Sequence, residues 1–309
     1  MLNSIQSVEN RESFYNVIRV TGYGATPFFE SLGEGISGLK ASANKGHKWD
    51  YRPGAMTAAA NAHAEGSVRA PITSWSSVEL GNQFQIFKKT SGITGSQAAS
   101  FTIEEKVSSI STQEMENRKQ LRLDVEKALL GSAAPVGATL ITDIRTMGGI
   151  LHYIPANAVF DLIDAVNGNI ALDVKNHIDE ALKLMFNQGI VGEEIIVMCG
   201  SDVYTDLNWY YADKNLYKPT DGTITAKKDT ITTGWHEKVR ITANPNLLDD
   251  EAIVYAPGLI NPVLLRSHKS KDVSDATYDA EAKEDLFELT VQVLDPYAAV
   301  SIKNIGRTV

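Results

Sequence analysis

At 309 residues the chain is long enough for one large domain or two ordinary ones, with a sizeable core. Its hydrophobic share of 43% and charged share of 22% are those of a folded globular protein, which excludes a disordered or fibrous chain. The net charge of −9 excludes nucleic-acid binding by bulk electrostatics, and the single cysteine, Cys199, excludes an intramolecular disulfide and fits a reducing compartment. The start MLNSIQSVENRE is polar, and no apolar run approaches the roughly 18 residues of a membrane span. Neither a signal peptide nor a membrane segment is predicted, and a soluble cytoplasmic product is expected.

Residues 1–45 read as a polar lead-in, a short amphipathic segment over 13–20, and a loop-rich passage. TGYGATPFFESLGEG gathers turn formers around one apolar knot at Pro27, Phe28 and Phe29. Such an arm has too little apolar surface to fold alone, so it is expected to lie on its own body or on a neighbour. Gly33, Gly35 and Gly38 satisfy G-x-G-x-x-G, but no strand precedes them, and without a βαβ unit the pattern does not imply a phosphate loop.

Residues 46–92 predict a long irregular hairpin. HKWDYRPGAMTAAANAHAEGSVRAP is rich in small residues and turn formers, with AAANAHAEG near the tip. SWSSVELGNQFQIFKK then alternates as a strand through Val78, Leu80, Phe84 and Ile86 around Gly81. A two-stranded hairpin is marginal by itself in water, so this one needs a partner surface. His47, His63 and Glu65 lie on it without metal-ligand spacing.

The stretch 101–131, FTIEEKVSSISTQEMENRKQLRLDVEKALLG, predicts one long helix. Thr102 and Glu105 form a capping box, Gly131 is the stop, and about 28 residues make a rod of roughly 40 Å. Apolar residues recur at both ends, at Ile103, Val107 and Ile110, then at Leu121, Val125, Ala128 and Leu129. Between Ser111 and Gln120 only Met115 is apolar, so the waist is expected to cross open surface as a strut. Arg118, Lys119 and Arg122 read either as i,i+4 ion-pair partners or as a cationic face.

GSAAPVGATLITDIRTMGG follows as a connector that could cover the end of the rod. Residues 151–250 read as a compact α/β unit. AVFDLIDAVNG and VKNHIDEALKLMFNQG look helical, stopped by Gly168 and Gly189, and EEIIVMCG is a buried strand that makes Cys199 a small hydrophobe. SDVYTDLNWYYADKN opens a helix capped by Ser201 or Asp202, and GWHEKVRITANP ends a strand in a turn. Such a unit would suit a small enzyme, but there is no phosphate loop, no G-x-S-x-G and no H-E-x-x-H. Asp249, Asp250 and Glu251 read as a solvated turn. Over 251–309, AIVYAPG and NPVLLRS read as a pair of strands broken at Gly258 and Pro262. SHKSKDVSDATYDAEAKED is a polar excursion, and LFELTVQVLDPYAAVSIKNIG is a final strand run expected beside the rod.

The order of arm, hairpin, rod-like helix, α/β insert and returning strands is similar to the major capsid protein of tailed bacteriophages, whose shell fold is named for the Hong Kong 97 phage. NRESFYNVIRVTGYGATPFFESLGEG resembles the arm of one branch of these proteins, with an Asn-Arg-Glu start and a Thr-Pro-Phe before Gly-x-Gly. HKWDYRPGAMTAAANAHAEG resembles that branch's His-x-Trp hairpin start and Asn-x-x-x-Glu-Gly turn. LGNQFQIFKKTSGITGSQAA resembles its returning strand, with Gly81, Asn82, Gln85 and Ile86 in the matching pattern. The resemblance covers residues 10–130 by motif. Beyond about 150 it is one of layout, and SHKSKD matches a Lys-x-Gly-Asp segment only loosely.

The resemblance implies an α+β, Hong Kong 97-like capsid fold. Residues 1–45 would be the N-terminal arm and 46–92 the extended loop lying over a neighbouring subunit. Residues 93–150 and 252–298 would form a peripheral domain with its spine helix over 102–130, and 151–251 with 299–309 an axial domain. It implies self-assembly in pentamers and hexamers around a double-stranded DNA genome, without sequence-specific binding and without a membrane. It also implies a portal and in some shells a decoration protein. Because the arm motif follows Met1 almost at once, a separate scaffolding protein is expected. Inter-subunit contacts are expected at Pro27, Phe28, Phe29, Trp49, Tyr51, Asn61, Glu65 and Trp75. Lys88 and Lys89 lie near the loop without an acid catalyst, so no cross-linking, catalytic residue, cofactor or metal is assigned. Two other readings stay open: a nanocompartment shell of the same fold, and a soluble α/β enzyme with its site in 151–250.

Overall fold

The structure is a computed structural model that describes residues 26–32, 46–52, 62–69, 77–96, 110–140, 142–164, 168–171, 177–214, 230–231, 235–236, 238–274, 277 and 279–306. The segment 13–20, the glycines at 33, 35 and 38, and the Thr102–Glu105 box lie outside them. In chain order the elements are α1 (Pro27–Ser31), β1 (Gly46–Tyr51), β2 (Val78–Gln83), β3 (Gln85–Thr94), α2 (Ile110–Leu129), α3 (Ile150–Tyr153), β4 (Val159–Asp161), β5 (Ile163–Asp164) and β6 (Gly168–Ala171). They continue with α4 (Asp179–Asn187), β7 (Ile195–Cys199), α5 (Ser201–Lys214), β8 (Thr230–Ile231), β9 (Val239–Ala243), β10 (Ala252–Tyr255), β11 (Ile260–Asp272), β12 (Ala280–Val293), β13 (Ala299–Lys303) and β14 (Ile305–Gly306).

The strands β7 and β10 are buried at every position, as runs without a polar face must be when both sides are covered. They pair antiparallel at the centre of a six-stranded sheet of order β4-β13-β10-β7-β9-β8. Helix α4 covers it with Ala181, Leu182 and Met185, and stops before Gly189, whose φ of 87° is a conformation glycine adopts without strain. In AVFDLIDAVNG, expected as a helix, residues 159–161 and 163–164 are strands instead. Its β-branched and aromatic residues form β4 and β5, and β4 runs parallel to β13, so a partner about 140 residues away decides the conformation. Gly168 is correspondingly the first residue of a strand.

A second, three-stranded sheet has the order β11-β12-β3. The apolar runs AIVYAPG and NPVLLRS are both strands, β10 and β11, but in different sheets. The turn Pro257–Leu259 carries the chain from β10 in one sheet to β11 in the other, and Pro262 lies inside β11 opposite Val291. Strand β10, which follows residue 251, thus belongs to the six-stranded sheet and β11 to the three-stranded one. The polar excursion is the outer half of the β11–β12 hairpin, with register shifts between Leu264 and Arg266 and between Arg266 and Lys269.

Helix α2 lies across this sheet. Its waist was expected to cross open surface, but its inner side meets β3 through polar groups. Asn117 Nδ2 donates to Ser91 Oγ at 2.8 Å, and Gly92 N donates to Gln113 Oε1 at 3.3 Å. Only the outer side is bare, where Met115 is 53% exposed. At the far end the helix stops at Gly131. A Cβ on Gly149 would stand 2.5 Å from Gly131 N, so the returning connector packs backbone against backbone there.

Candidate assembly interface

The hairpin is fixed to the body at its base. Strands β1 and β2 pair antiparallel from Gly46 opposite Gln83 to Tyr51 opposite Val78. Asn82, buried near the end of β2, donates from Nδ2 to Gly148 O and Val291 O, each at 2.9 Å. Its Oδ1 accepts from Gly148 N and Gln83 N, each at 2.8 Å. All four bonding positions of the amide are used, tying the hairpin to the connector and to β12. Trp49 Nε1 donates to Val293 O at 2.8 Å, with its ring 5.6 Å from His47 and 5.8 Å from Tyr153. Tyr153 in turn donates its hydroxyl to Gly81 O at 2.8 Å.

The tip is the opposite. Residues 62–69 are exposed throughout, around a turn in which Ser67 N donates to Ala64 O at 3.0 Å and Gly66 takes a φ of 77°. Val68 is 91% exposed. The hairpin is thus anchored at its base and solvent-exposed over 62–69.

The arm docks at a buried carboxylate. Glu126 of α2 accepts from Phe28 N at 2.9 Å, Phe29 N at 2.7 Å and Asn244 Nδ2 at 2.8 Å. Burial pushes its carboxyl above the usual value, with Glu30 adding to the rise and the three hydrogen bonds opposing it. Phe28 packs 5.0 Å from Tyr255, whose hydroxyl shares a 2.6 Å hydrogen bond with Ser31. One acid thus joins arm, spine helix and six-stranded sheet.

Within the single chain the residues expected at contacts are placed as follows. Phe28 is fully buried and Phe29 nearly so, and Trp49 is buried at the hairpin base. Phe28 packs against Tyr255, and Trp49 against Tyr153. Pro27 opens α1 half-buried. Tyr51 is half-buried, and burial followed by the nearby Asp295 raises its phenol above the ordinary value. Glu65 is exposed in the tip turn. Asn61 and Trp75 lie outside the described residues. Glu126 and Asn244 went unnoticed in the sequence, although an acid inside the apolar run LDVEKALL was a visible signal.

Strand β12 buries two more acids, Asp285 beside a histidine and an arginine, and Glu288 between two arginines. Asp285 Oδ1 lies 3.0 Å from His268 Nε2, and its Oδ2 lies 3.5 Å from Arg118 Nε. Glu288 pairs with Arg266 and, at 3.3 Å, with the mostly buried Arg145. Lys88 and Lys89, by contrast, pair with Glu284 at 3.6 Å and Asp124 at 3.1 Å. Among the described residues no His, Cys, Asp and Glu cluster is placed to hold a metal, and no helix is long and apolar enough to cross a membrane.

Comparison with known proteins bears on this geometry. The family model described as SU10 major capsid protein matches residues 2–306. No curated protein matches the sequence. Among solved structures, the capsid asymmetric unit of cyanophage A-1(L) is similar at a TM-score of 0.67 and 13% identity, covering 93% of this chain and 94% of that one. The capsid of cyanophage P-SCSP1u is similar at 0.60 and 12%, covering 94% and 91%. The capsid of a native GTA particle is similar at 0.63 and 7%, covering 92% of each.

Proposed function

This chain belongs to the SU10 major capsid protein family and is a structural protein of the virion's capsid shell, and we propose how its parts are used there. Copies associate into pentamers and hexamers that close an icosahedral head around double-stranded DNA. Residues 46–92 are the extended loop, laid over a neighbouring subunit, and residues 1–45 are the N-terminal arm, fixed to the body at Phe28 and Phe29 by Glu126. The three-stranded sheet with α2 forms the peripheral domain, and the six-stranded sheet the axial domain around the symmetry axes. The chain performs no catalysis. A separate scaffolding protein and a portal take part in assembly, and a decoration protein is a further candidate partner.

The observation that carries this reading is the hairpin, locked to its own body by Asn82 and Trp49 and bare from 62 to 69. Electron microscopy of the expressed protein, alone and with the scaffold encoded beside it, tests it. Rings, tubes or closed shells are expected. A uniform small particle under every condition would overturn the assembly mode. Nucleic acid inside particles from infected cells separates a genome container from a nanocompartment of the same fold.

A further inference from the structure

The short helix α1 stands in the seam between the two sheets and sends one aromatic ring to each. Phe28 packs on Tyr255 of β10, in the six-stranded sheet. Phe29 lies with Leu121 and Val125 of α2 and with Phe287 of β12, in the three-stranded sheet. Glu126 of α2 closes the seam, and its two oxygens are used unequally. Oε2 accepts from Phe29 N at 2.7 Å, while Oε1 accepts from both Phe28 N at 2.9 Å and Asn244 Nδ2 at 2.8 Å. Arm and sheet thus meet on one atom. Asn244 is buried just past β9, and its Nδ2 also donates to Met198 Sδ at 3.0 Å, a weak acceptor. Its own oxygens hold the turn that follows, with Oδ1 accepting from Asn246 N at 2.8 Å and the backbone oxygen from Leu247 N at 3.3 Å.

We infer that Glu126 is a relay joint, coupling the seating of the arm at 26–32 to the closure of the turn 244–247, so that loosening either one loosens the other. The coupling follows from the difficulty of keeping an under-bonded charge buried. A carboxylate oxygen accepts from two sides at once, so the two donors on Oε1 support it without competing. Withdrawal of α1 removes two of the three donors from a fully buried carboxylate. The group must then turn toward water or take a proton, and either change weakens its hold on Asn244, whose amide is left with a sulfur. The reverse runs by the same route, because a coupling free energy is reciprocal. A shared oxygen is a physical link between the two places, which mere nearness would not be. The inference goes beyond the shell role, since it concerns motion within a single subunit.

Hydrogen exchange on the unassembled full-length subunit tests it. Phe28→Leu, and more mildly Ser31→Ala, which removes the hydroxyl bonded to Tyr255, loosen α1. Both are expected to speed exchange at Phe28 and Phe29, and Phe28→Leu to speed it at Asn246 and Leu247 by about tenfold. In a Glu126→Leu background the same arm substitutions should leave Asn246 and Leu247 unchanged. Asn244→Ala should speed Phe28 and Phe29 by a similar factor, a reading that does not depend on how well the Glu126 variant folds. Residues 195–197, at the centre of the sheet, should keep their protection throughout. Arm substitutions that speed only their own amides, an equal effect in the Glu126→Leu background, or indifference of Phe28 and Phe29 to Asn244→Ala would each overturn the inference. Faster exchange everywhere, residues 195–197 included, would also overturn it, because that is general loss of stability and not a joint. The assay reads single subunits, so none of these outcomes bears on shell formation, which microscopy reads separately.

Discussion

The backbone amide of Phe29 donates to Glu126 at 2.7 Å across 97 positions of sequence, and the amide of Phe28 donates to the other oxygen at 2.9 Å. Together with Asn244 they give the carboxylate three donors from two separate parts of the chain. Glu126→Ala strands all three in a buried site, where each unsatisfied group costs about 1–3 kcal/mol, so a loss of about 2–4 kcal/mol is expected. Glu126→Gln keeps one acceptor oxygen but turns an amide N–H toward a backbone N–H, so it should lose less. Urea denaturation of the two variants beside the parent gives the ranking. Equal losses would mean the hydrogen bonds do not set the energy of the clamp.

The pH dependence of that clamp runs against the usual intuition for a carboxylate. Burial, with Glu30 adding to it, raises the folded carboxyl above its ordinary 4.5. The folded state then binds the proton more tightly than the unfolded state, so Glu126 contributes most to stability below pH 4.5 and loses that contribution as pH rises through the folded value. Protonation removes the burial cost of the charge, while weakening the hydrogen bonds from the Phe28 and Phe29 amides. The stability difference between the parent and Glu126→Gln should shift in favour of the parent between neutral pH and pH 4.5. A shift in the other direction in a denaturation series would refute the assignment.

How much of this was legible in the sequence depends on how local each cause is. The strand IIVMC and the stop at Gly189 were readable because a short apolar run and a positive φ are properties of a few adjacent residues. The segment VFDLID was misread because its apolar spacing fits a helix, while the partner that makes it a strand, β13, comes at the other end of the chain. The helix waist was read as bare for the same kind of reason. Gln113 and Asn117 look solvated until β3 is brought beneath them. At the candidate interface, the turn at the tip was legible from its small residues. The burial of Phe28, Phe29 and Trp49 within their own chain was not, since an apolar residue in a loop does not announce which surface will cover it.

Asn82 offers a sharper contrast between shape and chemistry. Asn82→Asp preserves the outline of the side chain but sets a carboxylate oxygen against the carbonyls of Gly148 and Val291, which Asn82 Nδ2 meets as a donor at 2.9 Å. A buried charge facing two acceptors should cost about 3–5 kcal/mol, more than Asn82→Ala, which removes bonds without adding repulsion. Hydrogen exchange reads the local consequence. Amides of Gly46–Tyr51 and Val78–Gln83 should exchange faster in the Asp variant, while those of Ile195–Cys199 keep their protection.

Cys199 is buried completely in β7, and burial pushes its thiol up to about 12. Since the thiolate is the reactive form, the folded protein should resist a maleimide or a disulfide reagent from neutral pH to about pH 9. In strong guanidinium the same thiol should react at the ordinary rate and stoichiometrically. Fast labelling of the folded protein would show that the central strand opens, and would contradict its place at the middle of the sheet.

The hairpin tip separates folding from assembly. Replacing residues 62–69 by Gly and Ser removes Glu65 and Val68, both of them exposed. The base contacts of Asn82 and Trp49 stay intact, so the denaturation midpoint of the subunit should move by less than about 0.5 kcal/mol in equivalent stability, as for surface changes elsewhere. Assembly should respond differently. Laid over a neighbour, a hairpin without its tip loses contacts at every subunit boundary, and the loss is multiplied around each ring. Microscopy and sedimentation are expected to find folded subunits or open rings in place of closed shells. Normal shells from this variant would show that the tip makes no contact that assembly needs, and would move the bond between neighbours to the strands nearer the base.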